Sequence, residues 1–538
     1  MESDCIHFKE TNYFSELILD YLAGDEKLTP FYTHAPQLES FASAIEEKQF
    51  DDGDRTILVN ALQDQYASIR KKKMDFEAVD YNLKLLKQSN AYTVTTGHQL
   101  NLFTGPLYFI YKIVSTLELA ANLKKLHPEQ EFIPVYWMAT EDHDFEEINH
   151  FYYQQKRIEW NTEQKGAVGR FSTQGVEQVL DTFEKELSDY ASNGTELIAL
   201  FRKAYLEHDL LADAHRYLVH EIFTKEGLII IDGDDVELKK LFMPILKEEL
   251  ANEVSYKAVD AQSADLGKHY KIQVNPREIN IFYLTENGRH RILKENGAYF
   301  IHETALSFTE NELKAELDNH PERFSPNVLL RPVYQERILP NLAYIGGGGE
   351  LAYWFQLKRL FKKLHLPLPV LLLRNSALWM DEKQHKYIQL LQLSAAQLFV
   401  KEGALLKQWV MRLAEDDISL KVEEEAFKLL YERLAKKAAE EDATLGPHVK
   451  AVEAKHRKSM ERLQNQFIRS ARRKQTEAAK RIHHLKEQLF PGDSLQERKE
   501  NFSSLYLLLG EAMVDDLKEA VDFPSDQFFL LRPSNGGK

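Results

Sequence analysis

A few short segments hold most of the reactive side chains of this 538-residue chain. Thr96-Gly97-His98-Gln99 and Thr104-Gly105-Pro106, with Tyr108 just beyond, bring an imidazole, hydroxyls and glycine N–H groups together. Glu141-Asp142-His143-Asp144 sets three carboxylates beside one histidine. Asp232-Gly-Asp234, the run Gly346-Gly347-Gly348-Gly349 with Glu350, and Arg374-Asn375-Ser376 complete the set. An imidazole and unpaired N–H groups where a chain enters a helix suit an anion, because dipole and donors both favour negative charge there. In that position His98 would stabilise charge that develops in a transition state. Three neighbouring carboxylates repel one another and call for a cation, either a divalent metal or an amine substrate. Adjacent side chains point in different directions, so two or three of the four residues share any one ligand. No second His or Cys lies at zinc-ligand spacing.

The four glycines allow a ligand to approach the backbone closely. No Gly-Lys-Ser/Thr follows them, which excludes a Walker loop, and they are not a G-x-G-x-x-G fingerprint after a first strand. Each cluster also has a plainer reading: a loop histidine bonded to its own backbone, a solvated turn with a helix cap, and a hinge. What favours chemistry is placement. Apolar, strand-sized runs at 91–96, 132–139, 227–235, 327–333 and 366–373 alternate with helical patterns, and the polar clusters fall at their carboxyl ends. Pro106 suits the first turn of a helix that runs to about Leu126, and 236–250 and 351–364 also read as helices. This alternation predicts a doubly wound parallel sheet, in which ligands bind beyond the strand ends.

The domain pattern follows. Residues 1–150 hold N-terminal helices, with Lys71–Lys73 as a solvated turn, and the first half of the core. A mainly helical insertion spans 151–226, core returns at 227–254, and a mixed insertion spans 255–326. In the latter, 271–274, 279–284 and 298–301 look strand-like, and the Asn-Gly pairs at 287–288 and 296–297 signal hairpins. The second half of the core is 327–381. A helical arm covers 382–490 and a globular tail covers 491–538. Within the arm, 450–486 carries 12 Lys/Arg against three acidic residues, after an acidic stretch at 415–442. That contrast predicts an antiparallel hairpin with a loosely heptad apolar seam, Leu420, Phe427, Leu430 and Leu434 against Val452, Met460, Leu463 and Phe467.

Composition narrows the classes. Lys and Arg total 68 against 84 Asp and Glu, a net charge of −16, which disfavours general nucleic-acid binding. The single cysteine, Cys5, rules out internal disulfides, zinc–cysteine clusters and iron–sulfur centres, and it is expected in a frayed terminus. No signal-like or membrane-length apolar run is evident, so a cytoplasmic location is expected, with no membrane partner.

The segments Thr96-Gly-His-Gln-Leu-Asn-Leu-Phe-Thr-Gly-Pro-Leu-Tyr108 and Pro134-Val-Tyr-Trp-Met-Ala-Thr-Glu-Asp-His-Asp144 resemble the BshC family. So do Arg331-Pro-Val, the glycine-rich 346–350 segment and Leu489-Phe-Pro-Gly-Asp-Ser-Leu-Gln-Glu-Arg498. The resemblance spans essentially the whole chain. It implies a Rossmann-like core similar to class I aminoacyl-tRNA synthetases, two insertions, and a coiled-coil arm used for homodimerisation. It also implies the family's proposed activity, joining cysteine to the amine of glucosaminyl-malate to give bacillithiol. Nucleotide activation of the cysteine carboxylate then makes ATP the expected co-substrate, with magnesium a candidate beside it. Thr-Gly-His-Gln differs from the synthetase pattern His-x-Gly-His, and Arg374-Asn-Ser376 stands where Lys-Met-Ser-Lys-Ser would be. The expected catalytic residues are His98, Asp142, His143 and Asp144. Expected nucleotide or substrate contacts are Thr96, Gly97, Gln99, Thr104, Gly105, Tyr108, Asp232, Asp234, Arg331, Gly346, Gly347, Gly348, Gly349, Glu350, Asn375 and Ser376. Two alternatives stand beside this: a related ligase or nucleotidyl-dependent transferase for another amino acid or amino sugar, and a non-catalytic coiled-coil interaction protein. Lacking a second cysteine, such an enzyme would handle cysteine as substrate, without a thioester on a catalytic thiol.

Overall fold

The computed structural model describes all residues except 71–73, 188–191, 414–419, 443, 475 and 534–538. The Lys71–Lys73 turn and part of the acidic stretch at 415–442 therefore lie outside the described residues. The chain forms two compact units, one of residues 1–379 with 495–538, the other of residues 380–494.

The first unit is built on a five-stranded parallel sheet. Its strands are β1 (Ala91–His98), β2 (Glu131–Met138), β3 (Ile229–Asp232), β4 (Asn341–Gly346) and β5 (Val370–Leu373), in the order β5-β4-β1-β2-β3. β1 and β2 are buried almost throughout, as β-branched and aromatic runs covered on both faces should be. Val94, Leu342, Ile345 and Leu372 meet Leu119 and Leu123 of helix α1 (Tyr108–Leu126) in one core. Pro106 precedes that helix by two residues rather than opening it. Chain order runs outward from β1 through β2 to β3, then returns to the other side of β1 as β4. The direction therefore reverses between β1 and β4, where Thr96 lies opposite Ile345. That reversal leaves a crevice at the carboxyl ends of the two strands.

The segment 327–333 is not a strand. Asn327 Oδ1 accepts the N–H groups of Leu329 and Leu330 at 2.9 and 3.3 Å, which turns the chain into helix α3 (Leu330–Ile338), after helix α2 (Val236–Asn252). Pro332 fits an early helical position, where its missing N–H costs nothing. The fourth strand comes after Pro340, in residues expected to belong partly to a glycine loop. The expected helix 351–364 is split into α4 (Gly348–Trp354) and α5 (Lys358–Lys363).

The first insertion holds the hairpin His150–Tyr153/Lys156–Glu159 and the helices Val176–Glu186, Asn193–Leu206 and Leu211–Ile222. The second holds an antiparallel sheet that includes Ile281–Thr285, Gly288–Glu295 and Ala298–Ile301. Asn296 (φ +50°) and Gly297 (φ +81°) supply the two left-handed residues of a tight hairpin. Residues 271–274 are irregular instead, with the N–H groups of Gln273 and Val274 donated to Gln356 Oε1. The N-terminus is not frayed. Glu2–His7, with Cys5 exposed, pairs antiparallel with Gln527–Arg532, which also pairs with Ser376–Trp379.

The second unit is helical. Lys421–Glu441 and Leu445–Lys474 form the hairpin, followed by Thr476–Leu489. Its centre is held by the buried Tyr431, whose hydroxyl lies 2.5 Å from His456 Nδ1. Of the residues expected in the seam, Leu420, Phe427, Val452 and Met460 are half-buried, while Leu430, Leu434, Leu463 and Phe467 are exposed.

Candidate active site

A cavity of about 420 Å³ opens at the carboxyl ends of β1, β2 and β4, within the range typical of small-molecule sites. β1 and α1 contribute Gly97, His98, Gln99, Tyr108 and Lys112, and the turn after β2 contributes Glu141 and Asp142. The second insertion contributes Arg289, α3 Arg331, β4 Tyr344, and α4 Glu350 and Tyr353.

Positive and negative groups are paired around this cavity, with a few telling exceptions. Lys112, buried in α1, donates to Gly97 O at 2.5 Å and pairs with Glu350 Oε2 at 2.6 Å. Desolvation works against the Glu350 carboxylate. The Lys112 ammonium, the Tyr344 hydroxyl at 2.6 Å and the Gly347 N–H at 2.8 Å outweigh it and hold the carboxyl below its ordinary pKa. Desolvation likewise pushes Asp142 up. Hydrogen bonds from His143 and Gln99 and the Arg289 charge hold it well below the carboxylate range. Burial pushes Glu141 up, against the Lys239 ammonium 2.9 Å away. The same ammonium meets Asp234 at 2.7 Å, and Arg170 closes the network on Asp234.

Two buried side-chain nitrogens of residues that line the cavity have no hydrogen-bond partner among the described residues. One is His98 Nε2, whose ring lies between Tyr108 and Phe109 at 5.3 and 5.2 Å. Burial, and then the charges of Lys112, His215 and Arg374, push the His98 pKa well below its ordinary value, so the ring is neutral. The other is Arg331 Nη2. Its guanidinium lies over the rings of Trp137 and Tyr344 at 5.6 and 5.4 Å, and its Nη1 donates to Gln335. Tyr353 and the Glu350 charge also act on this guanidinium, and without an ion pair among the described residues it is suited to an anion. Tyr108 completes this wall. Burial pushes its hydroxyl up to about 12, and the Arg374 guanidinium lies 4.9 Å from its ring.

Of the residues singled out in the sequence, the cavity gathers Gly97, His98, Gln99, Tyr108, Asp142, Arg331 and Glu350. His143 and Asp144 are exposed on the turn beyond Asp142, outside the lining. Adjacent residues on a turn diverge, so Glu141 and Asp142 face the cavity while His143 and Asp144 turn out. Thr96 donates its hydroxyl to Ile345 O at 2.8 Å and does not line the cavity. Thr104 (φ +68°) and Gly105 (φ +65°) shape the loop before α1. Asp232 accepts from Thr140 and from the Asp234 N–H, and Asp234 belongs to the Lys239 network, so both stand behind the cavity wall. The four glycines lie beside the cavity without lining it. Gly347 through its N–H anchors Glu350, and a Cβ on Gly346 would sit 2.9 Å from Tyr344. Asn375 is buried with both side-chain polar atoms unpartnered, and Ser376 accepts from Arg374 at 3.0 Å; neither lines the cavity. Lys112, Arg289 and Glu141's partner Lys239 were not legible as site residues. A lysine amid the apolar run Phe109–Val114 was the available signal for the first. Arg289 reaches the site from a distant hairpin and leaves no local signal.

Fold and site define a Rossmann-like ligand-binding domain joined to a helical coiled-coil domain. Residues 1–375 match the family description "Bacillithiol biosynthesis BshC, N-terminal Rossmann-like domain", and residues 377–533 match its "C-terminal coiled-coil domain". The chain belongs to the bacillithiol biosynthesis BshC family. A relative from Flavobacterium johnsoniae is 46% identical over 96% of both chains. One from Flavobacterium psychrophilum is 46% identical over 99% of this chain and 100% of its own, and one from Christiangramia forsetii is 43% identical over 99% of both. All three bear the name "Putative cysteine ligase BshC". The crystal structure of a "putative arginyl t-RNA synthetase" from Campylobacter jejuni overlaps at a TM-score of 0.21 with 12% identity over 82% of this chain and 98% of its own. At that score it carries no argument.

Proposed function

We propose that the chain ligates cysteine to the amine of glucosaminyl-malate, the last step of bacillithiol synthesis, with ATP activating the cysteine carboxylate. The relatives' shared name supports a cysteine ligase. The observation that carries the site assignment is the pair of unpartnered buried nitrogens, His98 Nε2 and Arg331 Nη2, in one cavity at the point where strand order reverses. ATP supplies the phosphoryl or adenylyl group that makes a carboxylate oxygen a leaving group. Arg331 binds an anionic oxygen of that activated carboxylate or its phosphate. His98, uncharged, hydrogen-bonds the oxygen on which charge builds as the amine attacks. Asp142 is a fixed anion, too acidic to carry the proton, and it orients the incoming amine. In the bond-forming step the amine nitrogen joins the cysteine carboxyl carbon, the bond from that carbon to the activated oxygen breaks, and the departing phosphate takes up the proton that the amine releases.

Among the described residues, no three His, Cys, Asp or Glu side chains cluster as a metal site. The carboxylates near the cavity are engaged by Lys239, Arg289 and Lys112. These residues fit a magnesium ion carried on the nucleotide phosphates rather than a dedicated protein cage. The arm, with Leu430, Leu434 and Leu463 exposed, is the proposed homodimer contact. Among the described residues no helix is long and apolar enough to cross a membrane.

The test is ligation of cysteine and glucosaminyl-malate with ATP. His98→Ala and Asp142→Asn should each lower the rate by about 100-fold or more, the scale of a positioned polar group. Near-normal rates in both would refute the assignment. A panel of other amino acids in the same assay separates a cysteine ligase from a related ligase.

A further inference from the structure

Between His98 and Lys112 the backbone passes through three consecutive residues with positive φ, Phe103 (+49°), Thr104 (+68°) and Gly105 (+65°). The first is a bulky aromatic and the second is β-branched, and such residues rarely adopt this region unless the surroundings compel it. Gly105 has no alternative, because a Cβ there would lie 2.5 Å from Asn101 Cβ.

The Phe103 N–H is donated to the Tyr205 hydroxyl at 3.0 Å and its ring stacks on Phe201; the carbonyls of the same loop are held by a segment almost 400 residues later in the chain. Asn501 is fully buried, and its Nδ2 donates to both Phe103 O (2.8 Å) and Gly105 O (2.6 Å). Its Oδ1 is held by the Ser503 N–H at 3.0 Å, which fixes the orientation of the amide. The neighbouring Glu500 O accepts the Leu107 N–H at 2.7 Å, one residue before α1 begins. From the same segment, Glu497 accepts Arg374 Nη2 at 2.7 Å and the Ala377 N–H at 3.1 Å, and Arg374 lies over the Tyr108 ring. The C-terminal segment thus fixes Tyr108 twice, through the loop before it and through the cation above its ring. Lys112 lies one turn further along α1 and bonds back to Gly97 O, so the loop sets the register of the helix against β1. Asn501 itself does not line the cavity.

We propose that Asn501 is a positioning residue for the active site, holding the strained 103–105 loop so that Tyr108 and Lys112 meet His98 and Glu350 in the reactive arrangement. The proposal rests on the ligase reading for its rate measurements and stands without it for its structural ones. Displacing a reacting group by about 1 Å costs alignment more than binding. In Asn501→Ala, kcat for ligation should fall tenfold or more while the KM for ATP changes less than threefold. Gly105→Ala strains the same loop directly and should reproduce that split. The double variant should be no more than about threefold slower than the slower single variant, because both changes break one device; independent defects would multiply. Hydrogen exchange supplies a readout free of catalysis: the Leu107 amide should exchange at least tenfold faster in Asn501→Ala, with the β1 and β2 amides unchanged. Asn501→Ser, which shortens the side chain and leaves it polar, serves if the alanine variant does not fold.

A kcat within twofold of the parent, multiplicative losses, or faster exchange spread over the whole sheet would each overturn the positioning role. If the parent itself ligates nothing with cysteine, ATP and glucosaminyl-malate, the ligase reading fails, and exchange at Leu107 alone decides whether Asn501 restrains the loop.

Discussion

His215 Nε2 lies 3.0 Å from the Tyr136 hydroxyl, its Nδ1 has no partner, and burial pushes its pKa down to about 3. An unfolded histidine titrates near 6.5. As pH falls below that value the unfolded chain takes up a proton that the folded chain refuses, so this residue's contribution to stability is intact above the unfolded pKa and is lost on acidification. From pH 7 to pH 5 the loss attributable to His215 is about 2 kcal/mol. Urea unfolding of His215→Gln at the two pH values should show a pH-dependent loss smaller than the parent's by about that amount, and an equal loss would refute the buried neutral state. His98 is displaced in the same direction, but it also faces the cavity. At this scale the sequence was informative where chemistry is local. A Gly-His at a strand end could be placed at a sheet edge from spacing alone, and it is there. Which of Asp142, His143 and Asp144 faces the cavity could not be read, because a turn sends successive side chains in directions that only its dihedral angles decide. Arg331 came to notice only through a resemblance. Nothing in its neighbourhood foretold a guanidinium set between two aromatic rings.

Among the elements, the segment around Asn327 shows why an apolar run misleads. Val328, Leu329, Leu330 and Val333 suit a buried strand, but Asn327 caps the turn into a helix, and Pro332 tolerates an early helical position. A short apolar run has no period of its own to separate strand from helix. The true fourth strand, Asn341–Gly346, was obscured by the glycines that follow it. The consequence is testable. Asn327 Oδ1 serves two N–H groups, so Asn327→Ala should cost about 1–2 kcal/mol in denaturant unfolding, whereas Asn327→Ser, which keeps an acceptor, should cost less than half of that. Arg331 is the second residue of this helix, so the alanine variant should also lower ligation. A variant as stable as the parent would show that the turn needs no cap.

At the scale of the whole molecule, the arm leaves and re-enters the first unit at neighbouring points. Trp379, the last residue before it, donates its N–H to Gln496 Oε1 at 2.9 Å and accepts from Gln496 Nε2 at 3.0 Å, while Gln496 is the second residue after it. A chain that departs and returns beside itself can lose what lies between without displacing its ends. The long helices were legible from the scarcity of breaking residues. Their seam was legible in part: Leu420, Phe427, Val452 and Met460 are half-buried, while Tyr431–His456 and the Leu420 N–H on Gln464 add polar contacts that no apolar repeat foretells. Four of the leucines and phenylalanines assigned to the seam stay exposed, a surface that a second copy would cover. A chain in which 382–490 is replaced by a short Gly/Ser linker should therefore keep the far-UV spectrum of its sheet unit. It should also keep the Glu497–Arg374 pair that backs the cavity, and light scattering should find it a monomer and the full chain a dimer. Asn501 and Glu497 remain in the shortened chain, so the active-site loop should keep its slow exchange at Leu107. If the shortened chain remains a dimer, the contact lies in the first unit and the arm's exposed leucines serve another purpose.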